Sequence, residues 1–314
     1  MSFITESKGQ EKLGNAGSGE IHIIPRPAYL EKGNGYFKFN KNTQIAVGGN
    51  DAQVVRVAEY FRDIFQTASR ISLPIKDGKS VSPPSNTIVF KISNAVEHEE
   101  GYQLEVSEEK VLLEARSPEG LFYGIQTLRQ MLPQEVEAVT PPSGVRWRMP
   151  AARISDWPRF AWRGMHLDVS RHFFPKAFIK KYIRHLARYK FNKFHWHLTD
   201  GAGWRIETEQ YPNLIATGSW RVDKRHQSWN WEATEIGKPR DGRPAYGGYY
   251  SKADIREVIE YAKEHFIEVI PEIEMPGHSY AALVAYPELA CENNNIVVDG
   301  LKGKDVFCAA NEQT

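Results

Sequence analysis

The spacing of apolar residues differs between the two halves of the chain. Up to about residue 132, short apolar runs broken by Gly and Asn predict strands at 21–25, 36–39, 43–47, 87–92, 101–106 and 110–115. Apolar positions at helical spacing predict amphipathic helices over 52–66 and about 118–132. Residues 21–132 are therefore expected to form a small α+β domain with a hairpin around 107–110. A polar, Gly/Ser-rich lead-in precedes it at residues 1–20.

Strands and helices alternate after a Pro-rich connector at residues 133–160. Strands are predicted at 162–168, 192–198 and 266–273, and helices at 175–188, 251–266 and 279–286. Such alternation builds parallel sheets and barrels, so the fold class is α/β, an α+β domain followed by a (β/α)8 TIM barrel. A whole barrel takes roughly 250 residues. We therefore expect residues 161–314 to be its first part, with about three strands.

The segment 201–250 is rich in Gly, Trp and Tyr and has no periodicity. A segment of that length after a strand is usually a functional loop or a small inserted hairpin. We expect one of these two structures next to the second barrel strand.

The net charge and the hydropathy of the chain bear on whether it binds nucleic acid or crosses a membrane. The chain has 40 Lys and Arg against 39 Asp and Glu, interspersed along the sequence, so no nucleic-acid partner is expected. No apolar run approaches the ~20 residues that span a bilayer. The first twenty residues lack the apolar core of a signal peptide. The oligomeric state cannot be read from these patterns.

Three polar residues follow predicted strand ends, where a barrel enzyme carries its chemistry. Arg171 lies three residues after Asp168, and it can hold sugar hydroxyls or form a structural ion pair with that carboxylate. Asp200 precedes Gly201, as a turn aspartate often does, but His278 lies beyond the next strand. We expect Asp200 and His278 to come within reach of each other as an Asp–His relay.

Two histidines, His195 and His197, lie at i and i+2 on one strand face. Apart from the distant His278, no third ligand lies at a spacing that suggests a metal site. We therefore predict hydrogen-bonded histidines inside the barrel and no metal site.

Two glutamates, Glu272 and Glu274, share one face of the third strand. Carboxylates inside a barrel need partners, which could be Arg163, Arg205, the histidines or a substrate. We favour pairing for Glu272. Glu274 is placed with Arg171 among the candidate substrate-binding residues.

The two cysteines, Cys291 and Cys308, lie close together in the sequence. They could form a disulfide in an oxidising compartment or remain two buried thiols. Their spacing does not decide between these alternatives.

These residues belong to longer stretches that resemble a known family. The stretches are Arg163-Gly, Leu167–Phe173, Lys190–Asp200, Gly203–Glu207, Tyr246–Tyr250 and Pro271–Ser279, with Ile24–Pro27 and Gly120–Gln130 in the first domain. Together they resemble glycoside hydrolase family 20, the β-N-acetylhexosaminidases. The resemblance implies substrate-assisted, retaining exo-hydrolysis of terminal β-linked N-acetylglucosamine or N-acetylgalactosamine without a cofactor. It implies that Arg171 binds sugar hydroxyls and that Asp200 and His278 support an acid/base Glu.

The chain departs from this family in its catalytic pair. The family carries adjacent Asp and Glu at the end of the fourth barrel strand, and no Asp-Glu dipeptide occurs in the 314 residues. We therefore expect the N-terminal portion of a hexosaminidase, inactive by itself. The alternative is a non-catalytic carbohydrate-binding relative that lacks the acid. Another barrel glycosidase fits the Arg171, Asp200 and His278 motifs less well.

Two further features follow from the same comparison. Gly201-Ala202 stands where the family often has Asp-Gln, in the loop before Gly203. The resemblance also implies a Cys291–Cys308 disulfide, which fits an exported protein. We therefore expect a periplasmic or secreted location.

Overall fold

The fold comprises two compact units. The computed structural model describes residues 20–49, 51–78, 85–224, 235–291 and 305–310. The first unit takes the described parts of residues 1–98, 102–116 and 127–156, and the second takes those of 99–101, 117–126 and 157–314. Each unit is described separately below.

A seven-stranded mixed sheet forms the first unit. Its strands are β1 (Tyr29–Lys38), β2 (Gln44–Gly48), β3 (Ile75–Asp77), β4 (Thr87–Ile92), β5 (Tyr102–Val106), β6 (Lys110–Ala115) and β7 (Arg148–Asp156). They lie in the order β1-β7-β5-β6-β4-β2-β3. Neighbours among β2, β3, β4 and β6 are parallel, and the other pairs are antiparallel. The predicted hairpin is the β5–β6 pair, which confirms that prediction.

Helix α1 (Ala52–Ser69) supplies much of the apolar core of this unit. It begins where the Asp51 side chain accepts a hydrogen bond from the Gln53 backbone N–H, because a carboxylate satisfies a free N–H of the first turn. Its buried face includes Phe61, whose ring meets Phe90 of β4 at 6.0 Å. Burying each such side chain contributes about 1.5–3 kcal/mol. Helix α2 (Pro118–Met131), of which residues 118–126 fall in the second unit, and a 3-10 turn at 134–137 follow in the chain.

Two predictions in this region were wrong. Residues 21–25 are not a strand; Pro25 and Pro27 lack the N–H groups that a sheet needs. The segment 133–160, expected to be a connector, contains β7, which pairs with both β1 and β5. Pro150 made this strand hard to predict, because proline has no backbone N–H for the sheet. It lies opposite Tyr36 beside a bulge in β1, where a missing N–H donor is tolerated.

The second unit begins with the predicted strand–helix alternation. In chain order its elements are β8 (Gly164–Asp168), α3 (Lys176–Arg188), β9 (Lys193–His197), β10 (Thr199–Asp200), β11 (Gly203–Trp204), α4 (Asn213–Ala216), β12 (Trp220–Val222), β13 (Ala245–Gly247), α5 (Lys252–Lys263), β14 (Glu268–Glu272) and α6 (Tyr280–Ala285). Strands β8, β9 and β14 form a parallel sheet in that order. The described residues thus contain three strands of barrel type, as expected.

Side chains alternate between the two faces of this parallel sheet. Phe194 and Trp196 of β9 are buried, and Trp196 packs against Tyr250 with ring centroids 4.7 Å apart. The intervening His195 and His197 lie on the opposite face, because successive side chains of a strand point to opposite sides. One face is therefore aromatic, and the other carries imidazoles and carboxylates.

The long segment after β9 contains small paired elements rather than an open loop. Strand β10 pairs with β11 and β12 with β13, so the alternative of an inserted hairpin fits the described part. Residues 225–234 lie outside the described residues. No helix among the residues described is long and apolar enough to cross a membrane.

Candidate active site

Arg171 is held at the end of β8 by the residue that ends the strand. One Asp168 carboxylate oxygen accepts hydrogen bonds from the backbone N–H groups of Ser170 and Arg171, each at 2.9 Å. This turn directs the Arg171 side chain back toward Asp168, and Arg171 Nη1 donates to Asp168 Oδ2 at 2.7 Å. Burial alone would raise the pKa of Asp168, but the hydrogen bonds from Arg171 lower it. The ion pair considered for Arg171 is therefore present.

A second carboxylate, Asp200, binds the other side of the same guanidinium. Arg171 Nη2 lies 2.5 Å from Asp200 Oδ2, and the Asp200 side chain is only 2% exposed. The Gly201 backbone N–H donates to Asp200 Oδ1 at 2.6 Å, as in the turn role considered for this residue. His197 Nε2 lies 3.2 Å from Oδ2. The buried Asp200 carboxyl group thus contacts a guanidinium, an imidazole and a backbone N–H.

His278 completes the set of strand-end residues. Its Nδ1 lies 3.7 Å from Asp200 Oδ1, so the structure brings together the two residues expected to form a relay. The backbone of His278 has a φ of 51°, which non-glycine residues rarely adopt. Half of the side chain is exposed, so His278 is the accessible end of the pair.

A disulfide anchors the segment beside His278. Cys291 and Cys308 are bonded, as the family resemblance implied. The adjacent Phe307 backbone N–H donates to Pro276 O at 2.8 Å. Asp305 Oδ2 then lies 3.8 Å from His278 Nδ1, which places a second carboxylate at this imidazole.

The two glutamates of the third strand differ in their surroundings. Glu272 Oε2 lies 2.6 Å from His195 Nε2 and 2.7 Å from His197 Nδ1, so Glu272 pairs with histidines as favoured above. Burial alone would raise the pKa of Glu272, but hydrogen bonding with Glu274 and the contact with His197 lower it. The same hydrogen bond with Glu272 raises the pKa of Glu274. Glu274 therefore takes up a proton more readily than Glu272.

Arg163 and Arg205, also considered as partners of these glutamates, bind elsewhere. Within the second unit Arg163 pairs with Glu100. Arg205 is fully buried and donates to backbone carbonyls, among them Ser170 O at 2.7 Å and Gly248 O at 3.1 Å. Burial and the nearby Arg221 lower the pKa of Arg205 to about 10. Arg205 thereby joins the segments that follow β8 and β13.

The histidine cluster has the residue types of a metal site. His166, His195 and Glu272 offer atoms within 4.8 Å of one another, as do His197, Glu272 and Glu274. The shortest approaches, 2.6 and 2.7 Å between imidazole nitrogen and carboxylate oxygen, are those of ion pairs, although His197 Nδ1 and Glu272 Oε2 make no hydrogen bond among the described residues. We therefore interpret the cluster as held together by electrostatic attraction between imidazoles and carboxylates. Metal-free function stays a prediction.

The roles of two contributors followed only in part from the sequence, and a third was not indicated by it. His197 was seen only as half of a histidine pair, although its position opposite Asp168 and Glu272 follows from the parallel register. Asp305 lies in a segment without periodicity, so no sequence signal indicated its position. Arg205 belongs to the stretch Gly203–Glu207 that resembles the family, but this resemblance did not reveal that its side chain is buried.

Comparison with known families covers almost the whole chain. The profile described as "Glycosyl hydrolase family 20, domain 2" matches residues 20–157. The profile described as "Glycosyl hydrolase family 20, catalytic domain" matches residues 160–314. The two matches meet where the mixed sheet ends and the parallel sheet begins.

Individual relatives agree with this assignment. The chain is 38% identical over 299 residues to a β-hexosaminidase of Porphyromonas gingivalis, covering 93% of this chain and 35% of the relative. It is 32% identical over 271 residues to a β-N-acetylhexosaminidase of Cellulomonas fimi, covering 86% of this chain and 49% of the relative. The chain therefore spans half or less of these curated relatives.

Solved structures give the same picture. An N-acetyl-β-hexosaminidase of Streptomyces plicatus in complex with Thio-NAglucal superposes with a TM-score of 0.76 at 35% identity, covering 93% of this chain and 54% of that one. The exo-β-N-acetylglucosaminidase of Vibrio harveyi in complex with N-acetylglucosamine gives 0.72 at 29% identity, covering 91% and 41%. With both family profiles matched and this fold shared, the chain belongs to glycoside hydrolase family 20.

Proposed function

We propose that this chain is the N-terminal domain and first barrel portion of a β-N-acetylhexosaminidase. The whole protein would remove terminal β-linked N-acetylglucosamine or N-acetylgalactosamine from the non-reducing end of glycans. The observation that carries the proposal is the set Arg171, Asp200 and His278 at neighbouring strand ends, joined by contacts of 2.5 and 3.7 Å. The names of the relatives support the same substrate class.

Each of these residues has a role in the proposed reaction. The exposed part of Arg171, held by two carboxylates, would donate to sugar hydroxyls, and Glu274 would accept from the substrate. Asp200 would orient His278, as a carboxylate does for a catalytic imidazole. The substrate's own acetamide oxygen would attack the anomeric carbon while an acid Glu protonates the leaving oxygen. That Glu would then activate the water that opens the oxazolinium.

The acid Glu and the Asp that polarises the acetamide are not supplied by this chain. The 314 residues contain no Asp-Glu dipeptide, so we expect the chain alone to be inactive. Its own contribution would be to bind the non-reducing sugar and to support the acid. For hydrolysis, the proposal therefore requires an Asp and a Glu of the family's catalytic pair that these 314 residues do not supply.

The test begins with the coding sequence beyond the codon for Thr314. A reading frame that continues into a strand ending in Asp-Glu supports the proposal; a stop codon there favours the carbohydrate-binding alternative. The product of the continuous frame should hydrolyse a chromogenic N-acetyl-β-glucosaminide, and this chain alone should not.

Variants of the continuous product then test the assigned site. Because Asp200→Asn removes the charge that supports His278, we expect kcat/KM to fall roughly 10²-fold or more. The matched control is Asp241→Asn, at an exposed carboxylate paired with Arg243, which should change kcat/KM less than about twofold. Equal activity of Asp200→Asn and the parent protein would contradict the assignment.

We also propose that the protein is exported to the periplasm or secreted. The Cys291–Cys308 disulfide supports this, because such bonds persist mainly in oxidising compartments. Fractionation of the native cells, with thiol labelling of each fraction, tests it. A cytoplasmic protein with two reactive thiols would contradict the proposal.

A further inference from the structure

His197 lies between two carboxylates on the inner face of the parallel sheet. In the register of the sheet it stands opposite Asp168 of β8 and Glu272 of β14. Its Nε2 is 3.2 Å from Asp200 Oδ2 and its Nδ1 is 2.7 Å from Glu272 Oε2. The imidazole is only 6% exposed, so water does not replace either contact.

This arrangement decides the protonation of the ring. A neutral imidazole carries one N–H, so one nitrogen would direct a lone pair at a carboxylate. Only the imidazolium offers an N–H to Asp200 and a positive charge to Glu272, whose Oε2 lies at ion-pair distance from Nδ1 but outside hydrogen-bond geometry. Burial alone would lower the pKa of His197, but its contacts with Asp200 and Glu272 raise it to about 9. Both neighbours therefore favour the charged form of the ring.

The ionisable groups around the His197 ring include more acidic groups than the neighbouring Arg171 pairs with. Those that face it are His166 and Asp168 of β8, Arg171 after β8, His195 and Asp200 on β9 and β10, Glu272 and Glu274 at the end of β14, and His278 beyond it. Four of these are carboxylic acids, and Arg171 already pairs with two of them. A cation at His197 offsets anionic charge that Arg171 alone does not.

We propose that His197 is a positioning residue that acts as a fixed cation and holds Asp200 as an oriented carboxylate. His197 and Arg171 both contact Oδ2 of Asp200, and Oδ1, which also accepts from the Gly201 backbone N–H, faces His278. The orientation of the relay would then depend on a residue that touches neither substrate nor His278. The effect on catalysis rests on the proposed function; the charge of His197 does not.

The charge is tested first on the 314-residue chain itself. Nitrogen-15 NMR of labelled histidine side chains, with the His197→Gln spectrum to assign the signal, should show both ring nitrogens protonated up to a pH of about 9. A His197 signal that titrates near 6.5, the ordinary histidine value, would overturn the proposal. A shift of that signal on adding Zn²⁺ at pH 7 would also overturn it, because the ring would then offer a lone pair to a metal.

The positioning role is tested on the product of the continuous reading frame. In the parent protein kcat should fall as the pH rises through about 9, where His197 loses its proton. His197→Gln should lower kcat about 10-fold or more at pH 7 and remove that fall, with KM changed less than about threefold. The matched control is His195→Gln, which also loses a Glu272 contact but does not reach Asp200. It should keep the parent pH profile.

The outcomes separate this inference from the proposed function. A parent protein with no hydrolytic activity overturns the proposed function, while the NMR titration still decides the charge of His197. An active parent whose His197→Gln variant loses the same factor at every pH overturns the positioning role, because a purely structural effect does not follow the titration of one residue.

Discussion

At the scale of single residues, Arg205 shows how a cation can be buried without a carboxylate partner in the described part of the chain. Its guanidinium is 0% exposed and donates to the carbonyls of Val169, Ser170, Ser219 and Gly248. A planar group with five N–H donors suits carbonyls that converge from several loops. The charge is thus distributed over several backbone dipoles.

We expect Arg205→Met to lower the free energy of unfolding by about 3 kcal/mol or more. The methionine fills part of the space but leaves several buried carbonyls without donors, and each such group costs about 1–3 kcal/mol. Urea denaturation of the 314-residue chain measures the change. The exposed Arg26→Met serves as the control and should shift the unfolding free energy by less than about 0.5 kcal/mol. Equal midpoints for the two variants would show that the carbonyls find other donors.

The residues of the candidate site differed in how far the sequence revealed them. Arg171, Asp200 and His278 stand just after apolar runs of period two, and parallel strands bring such ends to one edge. Asp305 reaches His278 through a disulfide-anchored segment, and no local pattern encodes a contact of that kind. Residues placed by regular elements were therefore predictable, and residues placed by loops were not.

At the scale of elements, helix α5 illustrates a local signal that the structure confirms. The Ser251 side chain accepts from the Asp254 backbone N–H, and the Asp254 side chain accepts from that of Ser251. Asp254 also pairs with Lys176 at the start of α3. The same four residues thus begin α5 and fix its first turn next to α3.

Removing this cap should have a moderate effect on stability. We expect Ser251→Ala to lower the free energy of unfolding by about 1 kcal/mol, because one N–H of the first helical turn loses its acceptor. Thermal denaturation followed by circular dichroism measures it. Ser72→Ala, at an exposed position outside any helix, is the control and should leave the midpoint unchanged. A midpoint for Ser251→Ala equal to that of the control would exclude a stabilising cap.

Strands that contain proline or glycine were the elements least visible in the sequence. Strand β1 continues through Gly33-Asn34-Gly35 because a bulge absorbs the irregular stretch and Gly35 adopts a φ of 86°. Strand β7 includes Pro150 and yet lies between β1 and β5. In both strands the pairing across the sheet overrides a local preference for turns, and a window of a few residues cannot register that pairing.

The disulfide is an element-scale restraint with a measurable contribution. Cys291 and Cys308 are 17 positions apart, and closing a loop of about that size stabilises a protein by about 3 kcal/mol in the chain-entropy account. We expect the Cys291→Ser, Cys308→Ser double variant to lose that amount in urea denaturation. Dithiothreitol should produce a comparable loss in the parent chain and none in the variant. Sensitivity of the variant to dithiothreitol would contradict this origin.

At the scale of the whole molecule, the two matched regions differ in where their polar residues lie. The core of the first unit is apolar, with α1 packed on the sheet by residues such as Phe61 and Phe65. The parallel sheet of the second unit instead carries ionisable residues on one face. Such a face gains little from apolar burial, so its order depends on charge pairing. Its stability should therefore depend on pH more than that of the first unit.

The direction of that dependence follows from two opposite shifts. The pKa of His197 is raised from 6.5 to about 9, so its stabilising contribution is complete below about 6.5 and disappears as the pH rises through 9. The pKa of Asp168 is lowered, so its contribution is present above the unfolded value of about 3.9 and disappears as the pH falls. These two groups together predict greatest stability between about pH 5 and 6.5.

His197→Gln should remove the alkaline side of this profile. In the parent chain the unfolding free energy should decline between pH 6.5 and 9 with a slope of up to about 1.4 kcal/mol per pH unit, the value for one proton. In the variant that part of the slope should vanish, because no group with a raised pKa remains at position 197. Urea midpoints from pH 5 to 9.5 measure it, with the exposed His22→Gln as control. Parallel profiles for the parent and His197→Gln would mean that the proton on this imidazole does not contribute to folding.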